Sequence, residues 1–267
     1  PPVPQATACR TEGQIALTFS EGPTNITSSV SNDLKAMGVR GSFFVNVKDL
    51  GVKQSQDIVK SVYQDGHLIG LTYRTPQDEP GTLTDDEIAA DIIKSAETVK
   101  SLINVYPKYV RLHINAQTDK RTEHIMDKLG FILINHSLDS RDYLHKATGD
   151  VINEFSNSFK SYKTNFKSIG SFISIQYDIP QTQTSTAMKS ILDLLKNEHF
   201  EPVRIDGCLN DKTPYKTAAD KKEYTGDKFS FGSPDYISGF KPIASASGNE
   251  GEFKYGNGVL SKVPNST

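Results

Sequence analysis

The run Phe131-Ile132-Leu133-Ile134 is apolar at every position, follows directly on Gly130 and is too short for an ordinary helix. A run of this kind is the mark of a strand covered on both faces. Ile15-Ala16-Leu17-Thr18-Phe19 and Phe172-Ile173-Ser174-Ile175 read the same way. Strands buried on both faces belong to parallel sheets, and parallel neighbours need a crossover, usually a helix, between them.

The intervening segments supply those helices. Val30, Leu34 and Met37 fall at helical spacing, as do Ile58, Val59, Val62 and Tyr63, then Ile88, Ile92, Ala96 and Val99. Ile125, Met126 and Leu129 follow, then Val151, Phe155, Phe159 and Tyr162, and the clearest stripe is Met188, Ile191, Leu192 and Leu195. Thr84-Asp85-Asp86-Glu87 is a capping box, in which the threonine hydroxyl and the Glu87 carboxylate each satisfy a free helix-end amide. Further strands are expected at residues 42–47, 67–73, 108–112 and 202–205. The alternation runs from residue 14 to residue 208 and predicts an α/β domain with parallel strands, as an open sheet or a closed barrel. Residues 1–13 read as an N-terminal arm. Residues 209–267 read as an irregular C-terminal extension, with Phe229, Phe231, Tyr236 and Phe240 as anchors for part of it.

A formal net charge of −2, without a basic cluster interleaved with aromatics, argues against a nucleic-acid partner. No apolar run has the length of a membrane span. The chain opens on Pro1, which suggests a leading segment removed by processing, and sequons at Asn25, Asn135 and Asn265 would be glycosylation acceptors on a secretory route. Its two cysteines, Cys9 and Cys208, flank the alternating region and read either as one disulfide or as two separate thiols.

The strand 15–19 stops at Ser20-Glu21-Gly22-Pro23, leaving two polar side chains at its C-terminal end, where α/β proteins place their chemistry. This stretch, with Arg40-Gly41-Ser42-Phe43-Phe44-Val45 after it, resembles the opening of the polysaccharide deacetylase family, metal-dependent carbohydrate esterases that include chitin deacetylases. The resemblance implies a distorted (β/α) barrel and hydrolysis of N-acetyl groups on chitin-like glycans. It also implies a secreted or cell-wall setting and, in fungal-type members, a bond between Cys9 and Cys208.

The family pattern T-F-D-D-G-P supplies a base and a metal ligand from its two aspartates, but Ser20 and Glu21 stand there. Gly66-His67-Leu68-Ile69-Gly70-Leu71-Thr72-Tyr73-Arg74-Thr75-Pro76 resembles the segment carrying the two metal histidines, one residue shorter, so that Leu71 and Thr75 fall on the ligand positions. Arg111 matches the arginine that orients the base. Asp139 and Asp142 match two conserved acids, with Tyr143 in place of a tryptophan, and Tyr177 falls where the family has its acid histidine.

A hydroxyl is no substitute for a carboxylate base, and an aliphatic side chain has no lone pair for zinc. The expectation is a family member without metal or deacetylase activity that keeps a groove for N-acetylated glycans. Glu21, Tyr73, Arg111, His113, Asp142, Tyr143 and Tyr177 are its candidate ligand-binding residues. Two alternatives stand beside it: an active hydrolase with altered catalytic residues, Glu21 as base, and a surface protein without ligand. Among the six histidines no pair has close metal-site spacing, although His113 follows a strand and its placement allows a two-ligand site with Glu21.

Overall fold

A computed structural model describes residues 3–76, 80–113 and 120–222. The expected anchors Phe229, Phe231, Tyr236 and Phe240 and the sequon at Asn265 lie outside the described residues. The central strands are β2 (Gln14–Ser20), β3 (Ser42–Asn46), β4 (Leu68–Tyr73), β6 (Tyr109–Leu112), β7 (Ile132–Ile134) and β9 (Phe172–Tyr177). Short strands β1 (Gln5–Ala6), β8 (Leu138–Asp139) and β10 (Glu201–Pro202) join the same sheet, and β5 (Tyr106–Pro107) pairs antiparallel with β11 (Tyr215–Lys216).

The main sheet runs β1-β7-β6-β4-β3-β2-β9-β8, with β10 added at the start of β2, and its pairings are parallel. Its two ends approach each other, since the Ile173 amide of β9 donates to Thr7 O just beyond β1 at 3.3 Å. The result is the distorted (β/α) barrel that the family resemblance implied, where the strand and helix pattern alone had left an open sheet equally open. The arm thus contributes a strand, and residues 202–205, expected as a strand, form instead the end of β10 and the approach to a short helix.

Helices α1 (Asn25–Ala36), α2 (Lys53–Gln64), α3 (Asp85–Ile103), α4 (Lys120–Lys128), α5 (Thr148–Phe166) and α6 (Thr184–Asn197) follow the strands, and α7 (Ile205–Leu209) comes last. Thr84 caps α3 with both reciprocal bonds of the capping box formed. One face of each strand meets the helices: Ile15, Leu17, Phe43, Val45, Ile69, Leu71 and Val110 share a core with Val30, Ile88, Ile92, Phe155 and Ile191. At about 1.5–3 kcal/mol for each large apolar side chain buried, this layer is the main source of stability.

The opposite faces fill the barrel. At its lower end α7 enters as a plug, so that Ala16, Phe44, Leu68, Tyr109, Ile173, Ile205 and Leu209 form a second core. Gly70 of β4 permits this close packing, because a Cβ there would fall 2.8 Å from the Phe44 ring and 2.9 Å from Tyr109 O. The bond Cys9–Cys208 ties the arm to the plug across a sequence separation of 199. Polar groups at this end are paired as well: His67 accepts from Gly41 N at 3.0 Å through Nδ1 and places Nε2 3.3 Å from Ser31 O. Burial pulls its pKa down to about 4, so the ring is a neutral structural element.

Candidate functional site

Parallel strands bring all their C-terminal ends to one rim, and here that rim opens into a cavity of ≈ 540 Å³. Ser20, Glu21, Asn46 and Thr72 line one side of it, and Arg111, His113 and Arg74 the floor and the next side. Tyr143 and Tyr177 stand on the remaining wall with Ile175 and Ile179.

The geometry at the end of β2 is set by its turn. Glu21 has φ 79°, a region that L residues rarely adopt. Gly22 follows because a Cβ there would meet Asp178 Oδ2 at 2.3 Å and Thr27 Oγ1 at 2.5 Å. Asp178 is buried directly beneath, accepting from the Gly22 amide at 3.2 Å and from the Thr27 hydroxyl at 2.5 Å. Burial raises its pKa to about 7 against the opposing pull of these hydrogen bonds.

This turn aims Ser20 into the barrel, where its hydroxyl accepts from Arg111 Nη1 at 3.0 Å. The same Nη1 donates to Thr18 Oγ1 at 2.7 Å, and Nη2 donates to Asn135 O at 3.0 Å. Arg111 is 3 % exposed and lies over the Phe44 ring, its Cζ 4.7 Å from the ring centroid. Among the described residues no carboxylate is its partner, and burial lowers its pKa to about 9.

Glu21 turns the other way. Its Oε2 accepts from Asn46 Nδ2 at 3.2 Å and its Oε1 lies 3.2 Å from His113 Nδ1. Arg74 Nη2 lies 3.0 Å from Nδ1 and 2.9 Å from Nε2 of the same ring. A carboxylate, an imidazole and a guanidinium therefore form one cluster at the ends of β2, β6 and β4.

On the far wall the Tyr143 ring meets Tyr177 edge to face, with centroids 5.4 Å apart. Tyr143 donates its hydroxyl to Asp139 Oδ2 at 3.1 Å and leaves 45 % of its surface exposed. Burial pushes the Tyr177 phenol up to about 12, so it stays protonated at neutral pH. Asp142 accepts from the Tyr177 amide at 2.8 Å and from the Thr184 hydroxyl, and burial pushes its pKa up to about 6.

The cavity thus collects Ser20, Glu21, Arg111, His113, Tyr143 and Tyr177 from the residues singled out in the sequence. Asp139 and Asp142 support its wall from behind. Tyr73 and Leu71 do not line it: Tyr73 faces the helices and donates to Asp91 Oδ2 at 2.9 Å, and Leu71 is buried in the outer core. Thr75 is buried beside the strand end, also off the cavity wall. The residues of this segment that reach the cavity are Thr72, whose hydroxyl donates to Phe44 O at 2.9 Å, and Arg74. Arg74 and Asn46 were missed by sequence reasoning. Gly70, Thr72 and Arg74 share one face by the period of two, and that was the available signal.

A divalent cation does not fit this donor set. Among the described residues no group of three His, Cys, Asp or Glu side chains converges as metal ligands. Glu21 and His113 are a pair, whereas catalytic zinc takes three protein ligands. The third group in the cluster, Arg74, carries a fixed positive charge and no lone pair. What the arrangement offers instead is a concave surface with an aromatic wall, hydroxyl and imidazole hydrogen-bonding groups, and two guanidinium groups.

Residues 7–134 match the sequence profile of the polysaccharide deacetylase family. A chitin deacetylase of Arthroderma benhamiae is 28 % identical over 205 residues, which are 76 % of this chain and 53 % of that protein. The matched region thus spans about half the length of that relative. The solved structure of the chitin deacetylase from Colletotrichum lindemuthianum superposes with a TM-score of 0.69 at 25 % identity, covering 81 % of this chain and 96 % of that one. The barrel of a CE4 family pseudoenzyme from Bacillus anthracis superposes with a TM-score of 0.64 at 17 % identity, covering 79 % of this chain and 70 % of that one, a likeness of fold. By its barrel and by its relatives, the chain carries a polysaccharide deacetylase domain and is a homologue of chitin deacetylases.

Proposed function

We propose that this chain is a family member that has given up metal-dependent deacetylation and keeps the barrel mouth as a binding site for N-acetylated glycans in a secreted or wall-associated setting. The observation that carries this reading is the hydrogen-bonding of Arg111. In the family this arginine orients a carboxylate base, whereas here it bonds the hydroxyls of Ser20 and Thr18, which cannot take the proton of an attacking water at neutral pH. Glu21 and His113 supply two donors where a zinc site needs three, and Arg74 sits against the His113 ring.

Binding is supported by the other half of the same cavity. Tyr143 and Tyr177 offer a partly exposed edge-to-face pair of the kind on which a pyranose ring packs its C–H face. The relatives named above as chitin deacetylases suggest polymers of N-acetylglucosamine as the ligand class. The cysteine bridge is compatible with an oxidising compartment.

The test pairs two measurements on one preparation: acetate release from N-acetylglucosamine oligomers with added zinc, and calorimetric binding of the same oligomers. Binding without release is the expected result. Release that needs zinc contradicts the proposal, and release that persists in chelator would assign acid–base work to Glu21 and His113. Failure to bind across a panel of N-acetylated polymers would favour a structural protein without ligand.

A further inference from the structure

Arg111 is a buried cation whose partners among the described residues are all neutral. Its Nη1 meets two hydroxyls, its Nη2 meets a backbone carbonyl, and its buried Nε has no hydrogen-bond partner among the described residues. Taking a guanidinium out of water without a counter-charge is expensive, and proteins normally offset it with a carboxylate. This chain does so at the other end of the barrel, where Arg204 makes two bonds to Asp206 at 2.9 and 2.7 Å and Lys108 Nζ lies 2.7 Å from Asp211 Oδ2. At the mouth the place beside Arg111 is filled by the short side chain of Ser20, and both groups line the cavity.

The nearest acid in sequence does not close the gap. Glu21 is engaged through one oxygen by Asn46 and through the other by His113. Arg74 adds a second guanidinium to the same cavity. The planar fork of a guanidinium is matched by the planar fork of a carboxylate, and that pairing is among the strongest hydrogen-bonded contacts a protein makes.

Building on the glycan-binding reading, we propose that the cavity floor beside Ser20 is a carboxylate subsite and that the glycan it selects carries a hexuronic acid. The sugar's carboxylate completes the coordination of Arg111, the Ser20 hydroxyl donates to it, and Tyr143 and Tyr177 hold the ring or its neighbour. The carboxylate is the shared chemistry of an acidic polysaccharide and a small free acid. The cavity volume and its aromatic wall favour the sugar.

The experiment compares, by calorimetry in chelator, an oligomer alternating N-acetylglucosamine with glucuronic acid and a neutral N-acetylglucosamine oligomer of equal length, with free glucuronate and acetate as competitors. The expected result is at least tenfold tighter binding of the acidic oligomer, displaced by glucuronate much more readily than by acetate. Ser20→Asp places a carboxylate beside Arg111 from within and is expected to erase the preference. Arg111→Lys keeps the charge, loses the fork and is expected to reduce the preference without erasing it. Melting temperatures establish that each variant is folded.

Equal affinity for the two oligomers, or a preference that survives Ser20→Asp, overturns the subsite and leaves the glycan-binding reading standing. Acetate displacing the oligomer as well as glucuronate does overturns the sugar assignment. No binding of either oligomer removes both readings together.

Discussion

The two ends of the barrel treat buried charge in opposite ways. At the closed end Arg204 is locked to Asp206, and that carboxylate drives its pKa above the ordinary arginine value although burial opposes it. At the mouth Arg111 is more deeply buried, has only neutral partners among the described residues, and its pKa falls to about 9. One fold, within one chain, thus holds a compensated cation and an uncompensated one. The closed end is built for stability, with a plug helix, a disulfide and paired charges. The mouth keeps a charge whose partner must come from elsewhere.

Breaking the compensated pair has the largest expected effect. Asp206→Ala leaves Arg204 buried without its carboxylate and is expected to destabilise the chain by about 3–5 kcal/mol in chemical denaturation, the usual cost of orphaning a buried ion. Ser20→Asp sharpens the comparison from the other side. It gives Arg111 the partner it lacks and is expected to raise stability by about 1–3 kcal/mol, the range of a charge-assisted hydrogen bond. A loss of stability of that size would mean that the mouth does not accept a second acid beside Glu21.

The carboxylates beneath the mouth give a pH signature that ordinary surface acids do not. Asp178 has its pKa raised from 3.8 to about 7 and Asp142 to about 6, both by burial. Between pH 4 and these values the folded chain binds more protons than the unfolded one, so stability falls as pH rises through that window. Each group contributes a slope of up to about 1.4 kcal/mol per pH unit. Denaturation midpoints measured from pH 4 to pH 7.5 are expected to show the decline, and Asp178→Asn is expected to flatten it. The smallest effect on stability belongs to the rim: Tyr143→Ala is expected to shift it by about 0.5 kcal/mol or less, as an exposed position does. The same change is expected to weaken glycan binding roughly tenfold, or about 1.4 kcal/mol.

Much of this architecture was legible in the chain. Strands covered on both faces give unbroken apolar runs, and β7 and β2 were found by them. The same burial hides which way each side chain points. Leu68 to Tyr73 is buried at every position, so the alternation that separates inside from outside is absent from the residue types. The family resemblance, with the segment one residue short, had put Leu71 on a ligand position and nothing in the residue types opposed it, whereas it packs among the helices and Thr72 faces inward. Tyr73 was misplaced by the same one-residue parity. Gly70 held the missing information, because a glycine pressed against Phe44 marks the inward face, and Thr72 and Arg74 follow it at steps of two.

At the end of β2 no such ambiguity arose. Ser20, Glu21 and Arg111 were expected to share one site and do line one cavity. The Asn46 contact to Glu21 and the contact of Arg74 with His113 were not legible, since they depend on how far separate strands extend past the sheet. Strand ends are set by register, and register is a property of pairs.

The most direct measurement is zinc binding by calorimetry to metal-free protein at neutral pH, with bound metal counted after dialysis. The account predicts no stoichiometric zinc, because Glu21 and His113 provide only two donors and Arg74 stands against the His113 ring. One tightly held zinc per chain, accompanied by acetate release from an N-acetylated glycan, would contradict it.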